Sequence, residues 1–403
     1  MNAPRLIAAF IARRPLSWTF HVLVLAASIA VILATLLLRQ AVETRLRRDV
    51  AGIDLVVGAK GSPLQLVMSS LMHVDAPTGN IPLDVWRNLE REPLVESAIP
   101  LALGDSVGDA RIVGTTAAFE RLYGASLAAG RSRSRPMEAV VGAEAAERLG
   151  LDVGDRFRGV HGLSGGDHAH DQPYRVVGVL EPTGAVIDRL VLTDLGSVWR
   201  LHGEEGAAED GAAHRHGGPD ADHAREITAV LVRYRSPLAA VVLPPRVAAT
   251  PNLIGASPAR ETTRLAALTD IGAQGLTQLG GALLVLSGVG FVVAMASVLL
   301  GRRRDLAVLR ALGMSPVRLT SILVAEGMLL GGLGGVAGVA LGRLAAGWAI
   351  ARAPGLNLAL APAGLPDLAI VGAGLGLGAL AAVLPAVIAV RVEPAAVLNG
   401  AAA

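Results

Sequence analysis

The chain has no cysteine, one lysine (Lys60) and only 3% aromatic residues. Without cysteine there are no disulfides, no thiolate metal ligands and no cysteine nucleophile, so a folded domain must be held by its core alone. Sparse aromatics, and basic residues that are almost all arginine and scattered along the chain, exclude a base-stacking platform with a basic face. No nucleic-acid partner is expected. No H-E-x-x-H occurs, which leaves metalloprotease chemistry unsupported, and no G-x-x-x-x-G-K-[ST] loop is present. The closest string, Gly58-Ala59-Lys60-Gly61-Ser62, has the wrong order for cradling phosphates.

Apolar residues are abundant instead, and they are concentrated near the two ends. Residues 16–38 contain one histidine, His21, and no charge. About 20 such residues cross a bilayer core as a helix. A cleaved signal peptide is the competing reading, because Arg5, Arg13 and Arg14 precede the run. The run is too long for that and leads into Arg39-Gln40 without a small-x-small site, so an uncleaved anchor is expected. Residues 276–300, 319–341 and 368–390 are three further runs, interrupted only by Glu326. The fold class expected is an α-helical membrane protein with four transmembrane helices, and an α+β domain inserted between helices 1 and 2.

Short loops set the orientation. Residues 301–318 carry Arg302, Arg303, Arg304, Arg310 and Arg318 against Asp305, and the tail 1–15 carries three arginines. The positive-inside rule puts both in the cytoplasm, together with the tail 391–403. Arg45, Arg47 and Arg48 on the far side of the first span run against this, but they open a long domain, and long domains translocate largely regardless of charge. Residues 39–275 and the short loop 342–367 are then outside.

In the outer domain, residues 53–57, 139–141, 174–180, 190–192 and 227–234 read as strands, and 143–151 and 83–91 as short amphipathic helices. Residues 161–172 and 201–222 read as exposed loops. Around these loops stand seven of the nine histidines: His161, His168, His170, His202, His214, His216 and His223, with several carboxylates among them. Imidazole and carboxylate suit zinc or nickel, so these are candidate ligands; a solvated low-complexity insertion is the plain alternative. The leucines and methionines of residues 62–82 belong either to the core or to a groove.

Glycine marks the last two spans. Gly327, Gly331 and Gly335 form one stripe of the third, and Gly334, Gly338 and Gly342 a neighbouring one; the fourth carries Gly372, Gly374, Gly376 and Gly378. Glycine at every fourth position lets a second backbone approach closely. Such faces serve bundle packing, sliding between helices, or a homodimer interface. Glu326, about two turns from the cytoplasmic end, is either an interfacial hydrogen-bonding group or a proton relay. Residues 301–313 form a short amphipathic element ending at Gly313, a glycine suited to a helix C-cap. It is either a membrane-surface helix or a helix that docks on a cytoplasmic partner.

The run from Arg303, Arg304 and Asp305 through Leu309, Arg310 and Gly313 to Met314, followed by Glu326-Gly327 and the glycine-rich span, closely resembles the FtsX-like permease signature. Leu384-Pro385-Ala386 and residues 391–398 resemble that family's C-terminal pattern. Residues 140–155 and 174–180 resemble the MacB-type periplasmic core domain. Asp305 departs from the glutamate more frequent at that place.

The resemblance implies a type VII ABC transporter permease in the bacterial inner membrane, with its large domain in the periplasm. Expected partners are a cytoplasmic ABC ATPase and a second permease, as a homodimer or a pair. A periplasmic adaptor or lipoprotein is a further one. Arg303, Arg304, Asp305, Leu309, Arg310 and Gly313 would couple to the ATPase. ATP-Mg is expected on that partner, not here, and the chain itself is not expected to be an enzyme. Similar permeases occur beside zinc-responsive periplasmic proteins, which adds zinc as a candidate ligand. The work done would be export, or lipoprotein- or metal-linked trafficking; the alternative is an FtsX-type regulator that activates a periplasmic hydrolase and transports nothing.

The orientation is tested by fusing a reporter active only in the periplasm. After Gly206 it should be active and after Gly313 silent; the reverse pattern refutes the assignment.

Overall fold

The computed structural model describes residues 15–162, 170–201, 225–301, 308, 310, 312–352 and 358–390. It divides into two compact units. One comprises residues 1–43 and 268–403, and the other residues 44–267.

The second unit is built on an eleven-stranded mixed sheet. Its strands are β1 (Leu55–Ala59), β3 (Val95–Val107), β4 (Ala110–Thr115), β5 (Leu127–Gly130), β6 (Glu138–Val141), β7 (Arg156–Phe157), β8 (Val160–His161), β9 (Tyr174–Leu180), β10 (Val191–Thr193), β12 (Ala229–Tyr234) and β13 (Leu253–Ala256). The main path runs β13-β1-β12-β3-β4-β10-β6-β9-β5, with β7 on β9 and β8 on β3. β10 runs parallel to β4 and β6 parallel to β9; the remaining ladders are antiparallel. A two-residue strand β2 (Ile81–Pro82) pairs with β11 (Glu226–Ile227) in a separate small ladder.

Both faces of this sheet are covered, so its central strands show unbroken apolar runs rather than alternation. On β1, Val56 joins one core with Leu66, Leu71, Phe119 and Ile187, while Leu55 and Val57 join another with Leu83, Leu243 and Val247. The first core explains residues 62–82: Leu66, Val67, Leu71 and Met72 are buried, so they are core and do not line a groove. They lie on α2 (Pro63–Val67) and the wide turn Met68–Met72 that continues it. The second core is closed by α3 (Leu83–Arg91), whose Trp86 Nε1 donates to the Ala98 carbonyl at 3.0 Å, and by α6 (Ala239–Ala249). Between them in the chain come α4 (Ala118–Leu122) and α5 (Ala143–Leu149). α5 stops two residues short of the expected end because Gly150 takes a left-handed C-cap at φ 64°.

Four helices among the described residues are long and apolar enough to cross a membrane. They are α1 (Pro15–Asp49), α7 (Pro258–Gly301), α8 (Pro316–Ala351) and α9 (Leu365–Val390). Two of them outrun their apolar runs. α1 continues eleven residues past Leu38, and α7 starts well before Leu276. At 1.5 Å per residue α7 is about 66 Å long, roughly twice the hydrocarbon thickness.

Arg45, which follows the first run, serves the fold of the sheet-based unit. The Arg45 guanidinium is buried, pairs with Asp49 at 3.0 Å and donates to the Gly184 carbonyl at 2.7 Å. Asp49's own carbonyl accepts from the Tyr123 hydroxyl. Arg45 is thus enclosed by the domain it enters and bound to that domain's structure.

His73 closes the turn after α2 in a left-handed conformation, φ 54°. Burial, reinforced by the charges of Arg111 and Arg189, lowers its pKa to about 3. The unfolded chain therefore binds a proton between pH 6.5 and about 3 that the folded chain does not. Stability is fully present above pH 6.5 and falls as pH drops through that window, by up to about 1.4 kcal/mol per pH unit. Replacement by asparagine, which tolerates the left-handed backbone and does not titrate, should flatten the fall in melting temperature between pH 7 and pH 5. An equal fall in both proteins would dismiss His73 as its source.

Candidate functional sites

Two arrangements gather the residues that matter, one in each unit. In the membrane-type unit the key feature is how α8 meets its neighbours. Its two glycine stripes face different helices. A Cβ added at Gly327 would fall on the Gly378 carbonyl oxygen, and one at Gly331 on the Gly374 carbonyl oxygen. From the other side, a Cβ at Gly374 would stand 2.7 Å from the Gly331 oxygen, while Gly378 meets the Gly327 oxygen. Gly335 completes the stripe against Val371. The backbones of α8 and α9 are thus in direct contact, with no room for any side chain between them.

The second stripe meets α1. Gly334 faces Leu25, Gly338 faces Ile29, and Gly342 faces Ala30 and Leu33. On α9 only alternate glycines take part. A Cβ on Gly372 or Gly376 would meet nothing within 4 Å. A period of two suits a strand; on a helix it sends half of the set to the far side.

The loop from α8 to α9 is fastened by Arg343. Its guanidinium pairs with Asp367 at 2.6 Å and donates to the carbonyls of Ala361 and Pro362. Arg39 on α1 pairs with Asp270 on α7 at 3.2 Å, just beyond the apolar runs of both helices. Glu326 is fully buried on the face of α8 that carries Leu319, Leu323 and Leu330, the core shared with Trp18, Met295 and Ala382.

Of the expected coupling residues, Arg303, Arg304, Asp305 and Leu309 lie outside the described residues. Arg310 is half-buried, while Val308 and Leu312 are exposed. Gly313 has φ 91° and donates to the Arg310 carbonyl at 3.0 Å, so it closes the turn as its position suggested. Ser315 then caps α8, its hydroxyl accepting from the Arg318 amide, with Pro316 at the first helical position.

In the sheet-based unit, two of the seven candidate histidines come together. The segment 161–172 is not wholly an exposed loop: His161 ends strand β8, and His170 is 1% exposed. Leu201 is likewise buried rather than part of an exposed loop. His168, His202, His214, His216 and His223 lie outside the described residues. Antiparallel pairing of β8 with β3 sets His161 directly opposite Asp105. His161 Nδ1 is 3.3 Å and His170 Nε2 3.1 Å from the same carboxylate oxygen, Oδ1 of Asp105. The two imidazoles meet edge to face with centroids 4.4 Å apart.

Several local features hold this group. A bulge in β3 between Leu103 and Asp105 re-aims the carboxylate. The His170 amide donates to the Gly159 carbonyl at 3.0 Å. Gly159 leaves the space into which His170 and Tyr174 pack, each 3.5 Å from where a Cβ would stand. Tyr174 stacks on Phe157, and burial, with the nearby Asp105 charge second, raises its hydroxyl pKa. Asp105 was not among the expected ligands. Its one sequence signal is a carboxylate that directly follows the apolar stretch 98–104 of β3, 56 positions before His161.

The MacB-like periplasmic core domain family matches residues 19–240, and the FtsX-like permease C-terminal family matches residues 279–394. The chain belongs to the FtsX/MacB-type permeases, the type VII class of ABC transporter permease. Among solved structures, the periplasmic region of MacB from Actinobacillus actinomycetemcomitans aligns at 12% identity with a TM-score of 0.33, over 54% of this chain and 95% of that one. The extracellular domain of the noncanonic ABC-type transporter YknZ from Gram-positive bacteria aligns at 12% identity with a TM-score of 0.31, over 50% and 98%. A search among curated proteins gives no match. Members of this family are inner-membrane permeases with a periplasmic domain and an ABC ATPase as partner, and are not themselves generally enzymes.

The glycine contacts carry a direct test. Valine at Gly331 must push the two backbones apart, which should cost about 3 kcal/mol, the upper end of overpacking effects. Gly376→Val, on the open side of α9, should leave the melting temperature of the detergent-solubilised protein unchanged. Equal effects of the two substitutions would contradict the packing described.

Proposed function

We propose that this chain passes ATP-driven motion from an ATPase on another polypeptide to its own outer domain. The observation that carries the reading is helical continuity: α1 and α7 run unbroken from their apolar runs to residues of the sheet-based unit. A helix transmits displacement along its axis where a loop would absorb it. Arg39–Asp270 ties the two helices where they leave the apolar runs, so they respond together.

At the other end, residues 301–318 face the cytoplasm in this reading, with Arg303, Arg304, Asp305, Leu309, Arg310 and Gly313 meeting the ATPase. Exposed Val308, Leu312 and Val317 support a partner surface there, since apolar groups beside arginines suit a protein groove. The sheet-based unit is periplasmic, and the permease works as a homodimer or a permease pair. The backbone-to-backbone face gives α8 the freedom to shift against α9 with few side chains to unlock. The work done is export or lipoprotein- or metal-linked trafficking, with a periplasmic adaptor or lipoprotein receiving the motion.

Reversing one charge tests this. Arg310→Glu should abolish co-purification with the ABC ATPase encoded beside this chain while membrane insertion and yield stay normal. Undiminished co-purification would remove residues 301–318 as the coupling element.

A further inference from the structure

Asp105, His161 and His170 can be arranged around one another for two reasons. One is a hydrogen-bonded structural group, and the other is a set of ligands. The donor atoms of the three residues all lie within 4.8 Å of one another. A tetrahedral ion with bonds of about 2.0–2.1 Å has ligand–ligand edges of about 3.3–3.4 Å. The two nitrogen–oxygen distances, 3.3 and 3.1 Å, are close to that edge.

The chemistry of the enclosure agrees. Asp105 is 2% and His170 1% exposed. A buried carboxylate between two imidazoles is costly unless its charge is met, and a divalent cation meets it while accepting both nitrogens. The Tyr174 hydroxyl beside Asp105 is also buried, with no hydrogen-bond partner among the described residues. Such an unmatched group inside a polar enclosure is a recognised mark of an ion or its water. The His161 side chain is 40% exposed, so solvent reaches the group on that side. The scaffold is also positioned in advance, by the β3–β8 register, the bulge at Asp105 and the His170–Gly159 hydrogen bond.

We propose that Asp105, His161 and His170 form a zinc site, with a fourth position open on the His161 side. Two imidazoles and one carboxylate leaving an open position are a zinc donor set, and the same set also suits ferrous iron when six-coordinate. The 3.3 Å edge fits a tetrahedron and the 3.1 Å edge lies between tetrahedral and octahedral values, so the choice of zinc rests on the donor set and the single open position. A bound ion would clamp β8 and the segment leading to β9 onto β3, making zinc occupancy a property that the sheet-based unit can sense or deliver. The assignment stands independently of the permease reading.

The test uses the full chain in detergent, stripped with a chelator and titrated calorimetrically with zinc chloride. Four proteins are compared: the wild type, Asp105→Asn, His161→Ala, and a control with His202, His214, His216 and His223 all changed to alanine. Wild type and control should share one tight equivalent, weakened at least tenfold by either ligand substitution. His161→Ala trims a half-exposed side chain and Asp105→Asn keeps the shape, so both retain the zinc-free melting profile. Cobalt substituted for zinc should give the intense visible band of a four-coordinate ion in wild type and lose it in both ligand variants. No tight equivalent, the same equivalent in all four proteins, or its loss only in the control would each overturn the site. Preferential retention of ferrous iron from an equimolar mixture would overturn the choice of zinc.

Discussion

Lipid tails are as apolar as leucine, so helices in a bilayer gain nothing by burying leucines against one another. What holds them is close packing, and here that means backbone against backbone. The Gly327–Gly378 and Gly331–Gly374 contacts bring α8 and α9 nearer than any side chain would permit. α8 then offers its second stripe to α1. One helix, stripped of side chains on two faces, is therefore the piece that the others are assembled on. The leucines and valines left over, such as Leu329, Leu333, Val336 and Leu344, remain exposed, as a lipid-facing surface requires.

The sheet-based unit solves a different problem with the opposite means. Its sheet lies in a setting where apolar burial is the main source of stability. It packs side chains on both faces, so that residues 229–232 are buried one after another. With no disulfide to help, part of its polar interior is tied together by well-connected groups. One is Asp188, which accepts from the amides of Thr183 and Gly184. Another is Thr193, bonded to Ser197.

How much of this was legible depended on whether the signal was local. The two stripes of α8 follow from helical spacing alone, and the structure sends them to two different partners as that spacing implies. α3 and β9 fall on the residues that their patterns mark. α9 was read less well, because its glycines at every second position hide which two face a neighbour. The apolar runs located the spans but not the helices, since polar residues at 39–49 and 258–275 carry helix without carrying hydropathy. The histidine cluster was half visible. Composition marked His161 and His170, but Asp105 is brought to them only by strand pairing and a bulge, neither of which leaves a motif. His73 escaped notice for the same reason: its burial, and the Arg111 and Arg189 charges that reinforce it, come from packing remote in sequence.

The last turn of α1 also bears on how such a chain can change over evolutionary time. Arg45 and Asp49 pair four positions apart, while Arg45 also donates to the Gly184 carbonyl and the Asp49 carbonyl accepts from Tyr123. Adding one residue between them would swing Asp49 by about 100° around the axis and away from Arg45. Length in this stretch is also angle, so insertions and deletions that a surface loop absorbs freely should be barred here.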